Sequence, residues 1–251
     1  MNHKQEIEAK YDVTCLHVVE SGSRAWGFAS PDSDWDIRFI YTHNDKNKYL
    51  KLHNPSDVII FENGDIEYHG WDIKKALILA GKSNVSFYEW AASPVVYHAW
   101  RKPLQICRDA FSLKDTCHHY RGLAKHTYVE YCAGSGEKTL KKFLYVIRPI
   151  FCMEYILRNS ALPPIDFNQL MSLSEIDDEF RDMITELLDI KVNHPERKTA
   201  PKNLDDYFTK WCKDNLDRFS HDFINENIAH REMDWGYLNR VYNEVIGELP
   251  C

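Results

Sequence analysis

Short runs rich in β-branched and aromatic residues alternate with helical patterns through the first hundred positions. "TCLHVVE" (14–20), "DWDIRFIYT" (34–42) and "SDVIIFE" (56–62) read as strands. Asn63-Gly64 is the strongest short hairpin-turn signal, so "DIEYHGW" (65–71) is expected to fold back antiparallel onto the third strand. Asp72 is placed to cap a helix over "IKKALILAGK" that closes near Gly81. A second helix is expected from Val85 to Ala92, ended by Ser93-Pro94. The polar N-terminus "MNHKQEIEAKYDV" reads as a short helix without the apolar core of a signal peptide. Farther along, β-branched clusters thin out and helical periodicity takes over. From Lys138 to Leu157, Leu140, Phe143, Leu144, Ile147, Ile150 and Phe151 share one side at about 100° per residue. Lys138, Lys141, Lys142, Tyr145 and Arg148 share the other, and "PPIDF" (163–167) ends the pattern. The expected class is α+β, with an α/β-rich part over residues 1–100 and an all-helical part over 101–251.

Between Glu20 and Tyr41 the chain crowds a Gly-Ser turn and three aspartates, Asp32, Asp34 and Asp36, ahead of an apolar strand. A calcium loop beginning at Asp32 needs glycine sixth and glutamate twelfth, where Ile37 and His43 stand. A P-loop beginning at Gly22 needs lysine and a hydroxyl after Gly27, where Phe28 and Ala29 stand. A two-metal site meets neither obstacle. Residues i and i+2 of a strand share a face, so Asp34 and Asp36 are expected side by side. Two like charges that close repel unless a cation neutralises them. The strand after Asn63-Gly64 alternates Asp65, Glu67 and His69 onto one face, which offers a third carboxylate. Magnesium suits such oxygen donors, and two ions can activate a hydroxyl and stabilise a leaving pyrophosphate. Gly22-Ser23, between a strand and a helix start, has backbone N–H groups and a hydroxyl fit for a triphosphate. Asp32 in Pro31-Asp32-Ser33 reads as a turn residue, and Arg24 serves equally well as a surface charge or a phosphate contact.

The composition narrows the setting. With 44% hydrophobic and 27% charged residues the chain resembles ordinary globular proteins, and it has no run of eighteen apolar residues. A net charge of −7 argues against a uniformly basic nucleic-acid coat but leaves room for a local basic pocket. Seven scattered cysteines form no CxxC pair, so neither a zinc ribbon nor a disulfide framework is indicated, and a reducing cytoplasm is expected.

"GSRAWG" followed by "SPDSDWDIR" resembles the signature of the DNA polymerase β nucleotidyltransferase superfamily, Gly-Ser and then Asp-x-Asp. With "EYHGWDIKKAL", "SNVSFYEWAASPVVY" and "KKFLYVIRP", the chain is similar to the RlaP or YcgL-like family over at least residues 15–157. That family is associated with RNA ligases in RNA-repair operons. Asp-x-Asp alone is a weak motif, whereas the ordered series of blocks is specific. The resemblance implies a mixed sheet flanked by helices, then a helical nucleotide- or substrate-binding domain. It implies Asp34 and Asp36 as metal ligands, with Glu67 third by its place before Gly70-Trp71-Asp72 and Asp65 as fallback. It also implies Gly22 and Ser23 as phosphate binders. The cofactor would be two Mg²⁺ ions, with Mn²⁺ as an alternative. The expected donor is an NTP and the leading acceptor an RNA 3′ end, as in RNA repair or tRNA end processing. Lys141, Lys142, Tyr145 and Arg148 are expected to contact nucleotide or RNA and to close one wall of the cleft. Two other readings stay open: transfer to a protein side chain or small molecule, and a nucleotide- or RNA-binding module without chemistry.

Overall fold

The computed structural model describes residues 2–52, 56–133, 140–193 and 202–249, with the side chains at 140, 141 and 202–204 outside the description. Two compact units emerge, one of residues 1–25, 34–111 and 232–251, the other of residues 26–33 and 112–231. Relative to the parts 1–100 and 101–251 expected from the sequence, residues 26–33 group with the helical unit, and residues 101–111 and 232–251 group with the sheet-containing unit.

The first unit is built on a five-stranded mixed sheet ordered β3-β4-β2-β1-β5. Its strands are β1 (Val13–Glu20), β2 (Trp35–His43), β3 (Val58–Asn63), β4 (Ile66–Asp72) and β5 (Val96–His98). The expected hairpin forms at Gly64, whose φ of 63° is one that glycine adopts without strain, and β3 pairs antiparallel with β4. β4 then lies parallel to β2, while β1 pairs antiparallel with both β2 and β5. β5 was not foreseen: three residues after a Ser-Pro carry no periodic signal, and they are held by pairing with β1 and by Tyr97 packing edge-on against His3.

Ile37, Phe39, Tyr41, Tyr68, Val13 and Cys15 alternate onto one sheet face and form a core with Ile7 of α1 (His3–Lys10). A bulge between Cys15 and His17 resets the alternation in β1, so Val18 and Glu20 join that core face as well. The opposite face carries Asp36, Arg38 and Ile40 on β2, and Glu67, His69 and Trp71 on β4. The short helices α2 (Gly22–Trp26) and α3 (Asn47–Leu50) precede α4 (Ile73–Gly81), α5 (Val85–Ala91) and α6 (Lys102–Ala110). Asp72 caps α4 by accepting from the Lys74 N–H, and Asn84 caps α5 by accepting from the Phe87 N–H.

The second unit is helical: α7 (Leu113–Thr127), a π turn (Tyr128–Cys132), α8 (Leu140–Asn159), α9 (Phe167–Ser172), α10 (Asp178–Asn193), α11 (Lys202–Arg218) and α12 (His221–Asn227). The apolar stripe read along α8 is its core side, with Phe143, Leu144, Ile147, Ile150 and Phe151 all buried. The final helix, α13 (Trp235–Gly247), belongs to the first unit, where Trp235 fills the space above Gly81 of α4. No helix among the described residues is long and apolar enough to cross a membrane. The six described cysteines are free and buried, and burial pushes the Cys15 and Cys117 thiols up to about 12.

Candidate active site

β1 ends at Glu20, the chain turns through Ser21 and Gly22, and β2 returns beside it. The Ser21 N–H donates to the Asp36 carbonyl at 2.9 Å. Gly22 sits at φ 61° with its Cα beneath the Asp36 carboxylate, and a Cβ there would overlap Asp36 Oδ2. Any larger residue would have to displace that carboxylate. Ser23 follows in the first turn of α2 and is buried, 6% exposed.

Asp36 is held from behind by a group the sequence did not flag. Glu20 has no exposed surface; its Oε1 accepts from the Asp36 N–H at 2.7 Å and its Oε2 from the Tyr97 hydroxyl at 2.7 Å. Burial raises the Glu20 carboxyl above its ordinary range, and these two donors oppose that rise. The one available signal was a carboxylate closing an otherwise apolar strand. The β1 bulge that turns it inward is invisible in the alternation.

Across the parallel ladder Asp36 is the register partner of Glu67. Arg38, two residues on and therefore on the same face, spans them: Nη2 lies 2.8 Å from Asp36 Oδ1 and Nη1 2.8 Å from Glu67 Oε1. The same two-residue spacing that pairs Asp34 with Asp36 in sequence brings Arg38 there. His69 follows on this face, edge-on to Trp71 and Trp90. Burial foremost, and then the Arg38 charge, hold His69 below its ordinary value.

Asp34 lies just before β2 and is exposed, with its carbonyl accepting from Arg24 Nε at 3.1 Å. The Arg24 guanidinium stacks over the Trp35 ring at 3.8 Å, which fixes it beside the Asp34 backbone. Asp65 is exposed in the hairpin, where its carbonyl accepts from the Trp35 N–H, and it is not the residue that faces Asp36. Among the described residues no three His, Cys, Asp or Glu side chains converge as a metal-holding group. The donor chemistry nevertheless suits a hard divalent cation, because Asp36 and Glu67 present carboxylate oxygens to one shared positive charge, at present the guanidinium.

The sequence matches the RNA repair pathway DNA polymerase beta family, RlaP, over residues 1–244. The chain belongs to the RlaP family. It is also 36% identical over 255 residues to the uncharacterized protein YcgL of Bacillus subtilis strain 168, which covers 98% of this chain and 94% of that relative. RlaP membership makes it one of a polymerase β-type, nucleotidyltransferase-type family connected with RNA repair.

In this RlaP chain the residues expected between positions 138 and 148 to touch nucleotide divide into three groups. Lys138 and the side chain of Lys141 lie outside the described residues. Lys142 Nζ stands 3.6 Å above the Tyr131 ring, and Tyr145 meets Trp26 edge-on at 5.2 Å. Arg148 is not on an exposed polar face. It is 3% exposed, its guanidinium is 4.4 Å from the Trp26 ring, and Nη2 donates to the Ile165 carbonyl at 3.4 Å. A buried arginine can lie on the geometrically polar side of a helix when another segment covers that side, and here Trp26 and the backbone at Ile165 meet it.

Proposed function

We propose that the chain is a magnesium-dependent nucleotidyltransferase that moves a nucleoside monophosphate from an NTP to an acceptor hydroxyl, with an RNA 3′ end as acceptor. The observation that carries this reading is the pairing of Asp36 with Glu67 across β2 and β4, directly over the Gly22 turn. Asp34, Asp36 and Glu67 would hold Mg²⁺, with Mn²⁺ as a substitute and Asp65 as the reserve carboxylate. Bound there, the metal would polarise the α-phosphate and neutralise the departing pyrophosphate.

The chain's own groups have the remaining work. Backbone N–H groups at Gly22-Ser23 and the Ser23 hydroxyl donate to the triphosphate, and Arg24 adds a guanidinium held by Trp35. Glu20 fixes the backbone of Asp36, so the carboxylate is oriented before substrate arrives. The acceptor oxygen bonds to the α-phosphorus, the bond between the α-phosphorus and its bridging oxygen to the β-phosphate breaks, and the hydroxyl proton passes to solvent. Lys142 and Tyr145 are kept as contacts for nucleotide or RNA on the helical unit; the buried Arg148 supports Trp26 there. The buried free thiols agree with a reducing, cytoplasmic setting, which belongs to the same proposal.

The test is incubation of the protein with labelled NTPs, Mg²⁺ and tRNA or cleaved RNA. Labelled RNA is expected from the wild type and none from an Asp34→Ala/Asp36→Ala variant. Equal labelling by both would show that the catalytic site lies elsewhere, and label on protein instead of RNA would change the acceptor.

A further inference from the structure

Two carboxylates directly opposite each other in a ladder repel, and the chain needs a positive charge there whether or not a metal is bound. Asp36 and Glu67 are such a pair, and Arg38 meets the need with one guanidinium nitrogen on each carboxylate at 2.8 Å. Its side chain is 14% exposed, against 26% for Asp36 and 43% for Glu67, so the cation is the more enclosed partner. A lysine could not do the same, because a single ammonium cannot reproduce the planar fork that spans two acceptors.

We propose that Arg38 is the site's resident counter-cation, which holds Asp36 and Glu67 in the metal-free chain and exchanges with a divalent cation for the same two carboxylates. This rests on the reading that those carboxylates are metal ligands. The oxygens in question are Asp36 Oδ1 and Glu67 Oε1, and each is already committed to a guanidinium nitrogen. A metal entering between them has to break both bonds, so the wild-type affinity for metal is lower than the carboxylates alone would give. Once released, the guanidinium stands beside the place proposed for the triphosphate, whose oxygens are its natural acceptors. The arrangement keeps the site ordered when empty and links metal entry to the arrival of a phosphate that can accept Arg38.

The experiment is a Mn²⁺ titration of the full chain followed by the EPR signal of free Mn²⁺. Wild type, Arg38→Met, Arg38→Lys and an Arg38→Met/Asp36→Asn double variant are compared, with thermal unfolding of each with and without Mn²⁺. Arg38→Met is expected to melt lower than wild type without metal and to bind Mn²⁺ at least about tenfold more tightly, the equivalent of one charge-assisted hydrogen bond no longer broken. Arg38→Lys should bind with intermediate affinity and fold even if Arg38→Met does not. The double variant should lose the gain. Equal or weaker Mn²⁺ binding by both Arg38 variants overturns the exchange and makes Arg38 a positioning residue; if the wild type still binds Mn²⁺ and labels RNA, the proposed function stands. If no variant binds Mn²⁺, the exchange and the metal part of the proposed function fall together.

Discussion

Gly22 and Asp36 touch so closely that the space a methyl group would need at residue 22 is filled by the aspartate's Oδ2. The glycine therefore meets two demands at once, a φ of 61° and room for the carboxylate. Gly22→Ala is expected to push Asp36 out of line and lower nucleotidyl transfer by about a hundredfold, the scale of a catalytic group misplaced by about 1 Å. Labelled-NTP transfer, read beside a thermal melt, checks this. An alanine variant with wild-type rate would show that Asp36 has no fixed catalytic position.

Glu20 holds Asp36 through a hydrogen bond to its main chain, not through charge. Glu20→Gln keeps an acceptor for that N–H and removes a buried carboxyl, so its stability should stay within about 1 kcal/mol of wild type. Glu20→Ala leaves the Asp36 N–H and the Tyr97 hydroxyl without this acceptor and should cost about 1–3 kcal/mol. Urea unfolding of the two variants separates the cases, and equal losses would mean that the charge matters after all.

His17 sets a pH dependence whose sign can be worked out. Its Nδ1 accepts from the Trp100 N–H at 3.1 Å, so the ring proton is on Nε2, which donates to the Trp90 carbonyl at 3.1 Å. Burial holds its folded pKa below the ordinary 6.5. The unfolded chain then binds the proton first, and stability complete above pH 6.5 is lost as pH falls toward the folded value. His17→Gln should flatten the slope of unfolding free energy just below pH 6.5. An unchanged slope would assign the pH dependence to other groups.

Lys191 of α10 is buried, 3% exposed, with Nζ 2.7 Å from Ser30 Oγ and 3.3 Å from Ser33 Oγ. These bonds tie the segment that leads into Asp34 to the helical unit. Lys191→Met keeps most of the volume but removes the donor, and should lower stability by about 1–3 kcal/mol. A melt that matches wild type would show that the serine pair is satisfied without it.

Local signals made much of the fold legible. Strands β1 to β4, the Asn63-Gly64 turn and the Asp72 cap each depend on residues within a few positions of one another, and each appears where the pattern put it. Long-range matters were hidden. Lys191 meets Ser30 across 161 positions, a distance over which no periodicity carries information. Arg148 read as part of a basic stripe open to nucleotide because helical angle separates sides without saying what covers them. Arg38 was visible on the carboxylate face, yet its role emerged only when Glu67 arrived from another strand.

Sequence alone determined that Asp36 and Arg38 would share one face of β2, and Glu67 and His69 one face of β4, because a strand's side-chain period is two and needs no partner. Only the tertiary structure decided that Glu67, and not Asp65, stands opposite Asp36, and that Glu20 turns inward behind it. Both outcomes are matters of ladder register and of one bulge, where a slip of a single residue sends every side chain to the other face. Register is set by the packing of whole strands, so the residues at the site cannot specify it by themselves.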